Sequence, residues 1–276
     1  MFNFLRIIGH LLPGNFARTW FYLYCIAKPR SFVRRSLKTF YRIEHVYDVL
    51  GEAKRDYGGR FSVLEFGTAR GYAFVKLLYA TKYMQMADRV TCHAFDSFEG
   101  LPPMDAELDQ GLIDRQWHEG SFMGNFEELD TYCRERYANY QIHKGYFEET
   151  LTESFLNTLR EELPLLVWID CDYYSSTRTV FDRLLPYLPN GCVCYFDDFD
   201  WNYGSRLTAE ARFVHELNSG EFGNDIELVL DTTLSLDTRR IYRFVRAGAA
   251  VFYPLLRPET GRPLPARRLT NDSALP

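Results

Sequence analysis

A short segment that joins an apolar run, two glycines and a helical pattern constrains the fold of this chain most strongly. The apolar run 61–64 precedes the sequence Glu65-Phe66-Gly67-Thr68-Ala69-Arg70-Gly71, and a segment of helical character follows over 72–83. This order predicts a strand, a tight turn and a helix. Glycines lack the Cβ atom that would keep a ligand away from the backbone, so the turn is predicted to bind a ligand.

The acidic residues near this turn indicate what the ligand is. The glycines are spaced G-x-x-x-G, and Glu65 ends the strand just before the first of them. A carboxylate there suits an amino-acid ammonium better than a pyrophosphate, which prefers bare N–H groups at a helix start. Asp96 ends the next strand-like run, 90–95, where a carboxylate can accept hydrogen bonds from two ribose hydroxyls. Together these residues favour an ammonium-bearing nucleoside, such as S-adenosylmethionine, over simple turn glycines and a capping Asp.

Strand-like and helix-like segments alternate along the rest of the chain, which predicts a parallel sheet. Further strands are predicted at 140–143, 164–169 and 192–196, and helices at 125–137, 147–161, 176–188 and 208–219. The runs 226–230 and 240–245 are predicted to form a closing antiparallel pair. The polar stretch 96–120 is too long for a plain connection and is interpreted as a lid, in which Trp117 and His118 could touch a substrate.

Acidic side chains follow two of the predicted strands. Asp170 and Asp172 come after the strand that ends at 169, and Asp197 and Asp198 come after the one that ends at 196, with Asp200 close behind. Carboxylates that meet at one edge of a sheet repel one another unless a cation holds them together. All-oxygen ligands suit Mg²⁺, Ca²⁺ or Mn²⁺ rather than Zn²⁺. A single Asp after a strand usually caps a helix, but two doubled sites favour a metal.

Charge and cysteine content narrow the possible functions. The formal net charge of −5 argues against nonspecific binding of nucleic acid. Residues 1–60 hold eleven Lys and Arg against four Asp and Glu, a net charge of +7, which leaves −12 for the remainder. The six cysteines contain no C-x-x-C pair and are interpreted as reduced residues of a cytoplasmic protein.

The basic N-terminal segment is also aromatic, with a run from Trp20 to Tyr24. Polar residues such as Arg6 and Arg18 interrupt the apolar residues of this segment, so no transmembrane segment is expected. No signal-peptide pattern stands out. An amphipathic helix in peripheral contact with a membrane surface remains open. A cap over a substrate cleft, or a contact within a homo-oligomer, is the favoured interpretation.

Five motifs together resemble a known family. In chain order they are LEFGTARG, HAFDSFEGLP, HKGYFEETL, LVWIDCDYYSST and CYFDDF. Their order and spacing over about residues 60–245 resemble the macrocin O-methyltransferase family of class I S-adenosylmethionine-dependent methyltransferases. The resemblance implies a Rossmann-like α/β domain at 59–248, with a seven-stranded, mostly parallel sheet and helices on both faces. A helical cap or dimerisation extension at 1–58 and a Pro-rich, flexible tail at 249–276 would flank it.

The resemblance also implies roles for individual residues. It implies S-adenosylmethionine as the cofactor, bound by Glu65, Gly67, Thr68, Gly71, Asp96, Ser97, Tyr146 and Phe147. It further implies Mg²⁺ on Asp170, Asp197 and Asp198, with Asp172 as the general base. The acceptor would be a small-molecule hydroxyl, most simply a sugar hydroxyl of a glycosylated natural product. Methylation of a catechol-like phenol remains an alternative, as does a noncatalytic module that binds a partner or a membrane.

Overall fold

A computed structural model of the chain describes residues 43–109, 117–235 and 240–248. The predictions for the aromatic N-terminal run and for the C-terminal tail lie outside these residues. Seven strands are described: β1 (Arg60–Phe66), β2 (Val90–Asp96), β3 (Tyr140–Lys144), β4 (Glu162–Ile169), β5 (Val193–Phe196), β6 (Ile226–Leu230) and β7 (Arg240–Arg246). The helices are α1 (Glu44–Asp56), α2 (Tyr72–Tyr83), α3 (Phe126–Arg134), α4 (Phe147–Thr150), α5 (Glu153–Thr158), α6 (Tyr174–Leu184) and α7 (Ala209–Asn218), with 3₁₀ turns at Leu185–Tyr187 and Trp201–Gly204.

The strands form one seven-stranded sheet in the order β3-β2-β1-β4-β5-β7-β6. The first five positions are parallel to one another, and β7 runs antiparallel to both β5 and β6. The predicted parallel sheet with a closing antiparallel pair is therefore confirmed. The carboxyl ends of β1, β2, β4 and β5 lie along one edge of the sheet, where ligands bind in folds of this type.

Apolar side chains bury both faces of the sheet, as parallel strands require. Successive side chains of a strand point to opposite faces. Val63 of β1 accordingly packs in the cluster that contains residues of α1, α2 and α3, whereas Leu64 packs in the cluster that contains residues of α5, α6 and α7. Helices therefore pack against both faces of the central strands.

The helix predicted over 147–161 is instead two short helices, α4 and α5. The break falls at Leu151, which leaves helical geometry with φ −79° and ψ +60°. The hydroxyl of Thr152 then accepts a hydrogen bond from the backbone N–H of Phe155 at 3.2 Å and starts α5 as its N-cap. Thr is a good N-cap because its side chain competes for such backbone donors.

Five cysteines are described, Cys92, Cys133, Cys171, Cys192 and Cys194, and all are buried free thiols. The interpretation of these residues as reduced core side chains is consistent with this arrangement. Among the helices of the described part of the chain, none combines the length and apolar character needed to cross a bilayer.

Candidate active site

The glycine turn after β1 joins three strands at the ligand-binding edge of the sheet. The N–H of Gly67 donates to the carbonyl oxygen of Phe95 in β2 at 3.0 Å, and Gly67 has φ +88°. A Cβ atom on Gly67 would lie 1.8 Å from the carbonyl oxygen of Asp170, which follows β4. A glycine is required here because the positive φ and the close backbone approach both exclude a side chain.

Gly71 and Asp96 support the same turn. Gly71 precedes α2 with φ +78°, and a Cβ atom there would lie 2.3 Å from the side chain of Leu129. The carboxylate of Asp96 accepts hydrogen bonds from the backbone N–H groups of Ala69, at 2.7 Å, and Phe98. Burial raises the pKa of Asp96 and these backbone hydrogen bonds oppose the rise. Since each carboxylate oxygen can accept more than one hydrogen bond, the predicted contact with ribose is compatible with this geometry.

Glu65 lies buried beneath the turn, with 1% of its surface exposed. One carboxylate oxygen, Oε2, accepts from the hydroxyl of Thr68 at 3.2 Å, and Oε1 has no hydrogen-bond partner among the described residues. Burial raises the pKa of Glu65 to about 8. An unpaired buried acceptor is unfavourable, and a donor such as the ammonium of S-adenosylmethionine would satisfy it.

A cavity of about 410 Å³ opens beyond this edge of the sheet. The volume lies within the usual range for small-molecule sites. Among the residues that the sequence motifs supply to the wall are Gly67, Ala69, Asp96, Ser97, Gly145, Tyr146, Phe147, Asp170 and Asp172. Five of the predicted cofactor residues, Gly67, Asp96, Ser97, Tyr146 and Phe147, therefore share one cavity with Asp170 and Asp172. Gly71, Thr68 and Glu65 are buried.

The three predicted metal ligands lie together. Carboxylate oxygens of Asp170, Asp197 and Asp198 lie within 4.8 Å of one another. The hydroxyl of Tyr195 donates a hydrogen bond to Asp197. Burial, followed by the charges of Asp197 and Asp198, raises the pKa of Asp170 well above its usual value. A divalent cation fits this set, because hard oxygen donors suit Mg²⁺ and a positive charge removes the repulsion among them.

Asp172 and Asp200, the remaining acidic residues that follow these two strands, differ in their surroundings. Asp172 is 8% exposed, adopts a left-handed backbone conformation with φ +61° and lies on the cavity wall beside Asp170. The position suits a base that faces a bound acceptor. Asp200 instead forms an ion pair with Arg240, with 3.2 Å between Asp200 Oδ1 and Arg240 Nε, so it has a separate structural contact.

Glu210 is a further acidic residue at this site that sequence reasoning missed. It lies in the first turn of α7, and its side chain has no exposed surface. Burial and the charges of Asp198, Asp170, Asp197 and Asp172 raise the pKa of Glu210 well above its usual value. An isolated Glu at a predicted helix start resembles an ordinary capping residue, so no signal in the sequence separated it from one.

Part of the predicted lid packs against the segment that follows β5, so the lid is not exposed throughout. Trp117 is 5% exposed and stacks against Trp201 with 5.4 Å between ring centroids. His118 is exposed, and its Nδ1 lies 3.0 Å from the hydroxyl of Ser121. Neither Trp117 nor His118 lies on the cavity wall. Trp117 therefore anchors the lid, and the geometry assigns no substrate contact to His118.

Comparison with known proteins agrees with this fold. Residues 64–199 match the family model described as "Methyltransferase domain". The match begins at residue 64, within β1, and ends in the turn after β5, so it includes both the glycine turn and the carboxylate cluster. No curated protein sequence matches the chain significantly.

Solved structures of methyltransferases share the fold. CalS11, a calicheamicin methyltransferase, is similar at 18% identity, covering 87% of this chain and 90% of that chain with a TM-score of 0.56. The O-methyltransferase NovP is similar at 19% identity, covering 75% of this chain and 80% of that chain with a TM-score of 0.52. The chain has the Rossmann-like fold of class I methyltransferases, as the sequence motifs predicted.

Proposed function

We propose that this chain is an S-adenosylmethionine-dependent O-methyltransferase that uses Mg²⁺ and methylates a sugar hydroxyl of a small molecule. One observation supports the proposal above all. The glycine turn and Asp96 form one part of the wall of the 410 Å³ cavity, and Asp170 and Asp172 of the acidic motif form another. A methyl donor and a metal-bound acceptor could therefore meet in one space.

The glycine turn and its neighbours would bind the methyl donor. Gly67 lets the donor approach the backbone, and Glu65 beneath the turn has an oxygen without a hydrogen-bond partner among the described residues. Asp96 and Ser97 would bind the ribose, and Tyr146 and Phe147 would lie near the adenine. S-adenosylmethionine would supply an electrophilic methyl group when it is bound, and the cavity would hold the acceptor beside it.

Asp170, Asp197 and Asp198 would hold the cation, and Asp172 would take the proton from the acceptor. A hydroxyl is a weak nucleophile near neutral pH, and a bound divalent cation supplies the charge that lowers the pKa of a coordinated hydroxyl. Asp172 lies on the cavity wall, within the space that an acceptor would fill. A carboxylate in that position can accept the hydroxyl proton as the methyl group is transferred.

The acceptor class follows from the same chemistry. Two adjacent hydroxyls can both bind one metal ion, so a vicinal diol is the simplest acceptor. Sugars and catechols both offer one. The sugar is preferred because a structure of similar fold is described as TDP-rhamnose 3'-O-methyltransferase, CalS11, at 15% identity with a TM-score of 0.51, covering 87% of this chain and 92% of that chain.

Calorimetric titration of S-adenosylhomocysteine into the full chain, with Mg²⁺ and again with EDTA, tests the cofactor. We expect saturable binding at roughly micromolar concentration in both buffers. Absence of binding in both would overturn the enzymatic proposal. Flotation with liposomes that depends on residues 1–40 would then favour the noncatalytic alternative.

Methyl transfer to glycosides and to catechols, measured with and without Mg²⁺, tests the acceptor and the metal. We expect transfer to glycosides that requires the cation. Asp197→Ala should abolish that requirement and most turnover while leaving the affinity for S-adenosylhomocysteine unchanged. Asp172→Asn should lower turnover with the metal still bound. Transfer to catechols alone would replace the sugar with a phenol as acceptor, and an unchanged Asp197→Ala variant would overturn the metal assignment.

A further inference from the structure

Glu210 contacts the carboxylate cluster through the backbone of Asp198. Its Oε2 accepts a hydrogen bond from the N–H of Asp198 at 3.0 Å. Its Oε1 is buried and has no hydrogen-bond partner among the described residues. Glu210 therefore places a fully buried carboxyl group beside three carboxylates, where charge repulsion and lost hydration both disfavour its ionised form.

An ordinary role for Glu210 in starting α7 does not account for this arrangement. An acidic side chain in the first turn of a helix stabilises it by interacting with the free N–H groups of that turn, usually in water. Glu210 is instead turned away from water and bonds to a residue twelve positions earlier in the chain. Its contact joins the two ends of the loop that separates β5 from α7.

That loop adopts unfavourable backbone conformations that need support. Asn202 and Tyr203 within the loop, and Ala209 where α7 begins, have positive φ angles of 50°, 62° and 50°. Residues other than glycine adopt such angles at a cost, and they persist only where the surroundings hold them. The hydrogen bond between Glu210 and Asp198 is one of the contacts that hold this loop closed.

We propose that Glu210 is a positioning residue for the divalent-cation site: by holding the backbone of Asp198, it sets the direction of the Asp198 carboxylate toward Asp170 and Asp197. This inference rests on the proposed function, because it assumes that the three Asp residues bind a cation. Groups that orient metal ligands are commonly worth 10- to 100-fold in affinity for the metal.

The test measures binding of Mn²⁺ alone to the full chain, with free Mn²⁺ quantified by electron paramagnetic resonance and no cofactor or acceptor present. Glu210→Ala should weaken binding by about 10- to 100-fold. Glu210→Gln should stay within about threefold of the wild type, since its amide oxygen can accept the same N–H hydrogen bond. Glu210→Asp keeps the charge but is one methylene shorter, so it should weaken binding by about tenfold.

Glu216→Ala is the matched control. Glu216 lies on the same helix and pairs with Arg212 and Tyr174, so its loss should lower stability while leaving Mn²⁺ binding unchanged. Wild-type affinity in Glu210→Asp, or a loss of about tenfold or more in Glu210→Gln, would overturn the positioning role. Both results can be obtained even if Glu210→Ala does not fold. A wild-type chain that binds no Mn²⁺ would instead overturn the metal in the proposed function.

Discussion

Gly67 is the residue at which the backbones of three strands meet. It directly follows β1, donates a hydrogen bond to β2 and leaves no space for a Cβ atom beside the carbonyl of Asp170 after β4. The same close approach brings the glycine turn next to the acidic motif. The position of Asp170, a proposed metal ligand, and the proposed binding of a cofactor at the turn therefore both depend on the absence of a side chain at Gly67.

Substitution of Gly67 by Ala should damage both the fold and the site. Overpacking of this kind together with a positive φ should cost about 3 kcal/mol of unfolding free energy, and S-adenosylhomocysteine affinity should fall at least tenfold. Gly59→Ala is the control, because Gly59 has φ +91° but open space around it. That variant should lose only about 1 kcal/mol and keep its affinity. Chemical denaturation and calorimetry measure the two effects, and equal losses in both variants would contradict the steric argument.

Glu65 should make the stability of the protein depend on pH. Its pKa is raised from 4.5 to about 8 by burial, so the folded state binds a proton that the unfolded state releases between these values. Stability contributed by the neutral form is fully present below pH 4.5 and is lost as pH rises toward 8. The slope of that loss is about 1.4 kcal/mol per pH unit for a single group.

Glu65→Gln isolates this effect because glutamine cannot ionise. With EDTA present, the unfolding free energy of the wild type should fall relative to that of the variant as pH rises from 5 to 8. At pH 8 the variant should be the more stable protein, yet it should bind S-adenosylhomocysteine more weakly because it lacks the carboxylate. Parallel stability curves for the two proteins would show that Glu65 is ionised in the folded state.

At the scale of elements, the lid and α6 are joined through Asp109. The N-cap residue of α6, Tyr173, makes no capping hydrogen bond with its side chain. Asp109 supplies one from the lid: its Oδ1 accepts from the backbone N–H of Ser175 at 2.9 Å and its Oδ2 from the Ser175 hydroxyl at 2.7 Å. The lid thus caps a helix that packs against the sheet, and the helix dipole favours the carboxylate.

Asp109→Ala should destabilise both the lid and the first turn of α6. The lost cap should cost about 1 kcal/mol, and amide hydrogen exchange should become faster in the first turn of α6 as well as in the lid residues 101–109. Asp105→Ala is the control, since the Asp105 side chain accepts hydrogen bonds from Glu107 and Leu108 within the lid. It should speed exchange in the lid and leave α6 unchanged. Faster exchange in α6 in both variants would mean that Asp109 is not the specific connection.

The elements could be predicted from sequence because their patterns are local. Helix α2 covers the predicted segment 72–83, and strand β6 covers the predicted run 226–230. The break between α4 and α5 was missed because apolar residues recur at helical spacing on both sides of it. The hydrogen bond that the Thr152 hydroxyl accepts at the break does not change that spacing. Hydrophobic periodicity reports burial, and side-chain capping can interrupt a helix without changing it.

The site residues that come directly after strands could be predicted from the sequence. Asp170, Asp197 and Asp198 come directly after β4 and β5, which are neighbours in the sheet, so their meeting follows from the topology. Glu210 reaches the same place because of the loop before α7, in which residues other than glycine adopt left-handed backbone conformations. Such conformations are set by tertiary contacts, and sequence reasoning could not foresee where that loop would return.

At the scale of the whole molecule, Arg243 joins distant parts of the chain. Its guanidinium lies 2.9 Å from Asp231, 2.9 Å from Glu52 in α1, and donates to the carbonyl oxygen of Gly191 at 3.1 Å. The side chain is 21% exposed. The first and last described elements, α1 and β7, are thereby held together across one face of the domain.

Arg243→Met should destabilise the whole domain, by about 3 kcal/mol, because two carboxylates lose their partner in a mostly buried setting. Arg60→Met removes the exposed ion pair with Glu162, in which Arg60 is 63% exposed, and should cost less than about 1 kcal/mol. Adding Glu52→Gln to Arg243→Met should recover part of the loss. Thermal unfolding measures all four proteins, and equal effects of the two arginine variants would contradict a structural role for the buried network.

The order of the strands in the sheet determines when the sheet can form as the ribosome makes the chain. β7 is the last strand of the described chain, yet it lies inside the sheet, between β5 and β6. As a nascent chain leaves the ribosome, β6 therefore emerges before the strand with which it pairs, and β5 keeps an open edge until β7 arrives. An open strand edge is a site of mispairing between chains. The acidic turn at the end of β5 is therefore next to an incomplete sheet until β7 is made. The sheet can be completed only after translation has passed residue 246, where β7 ends.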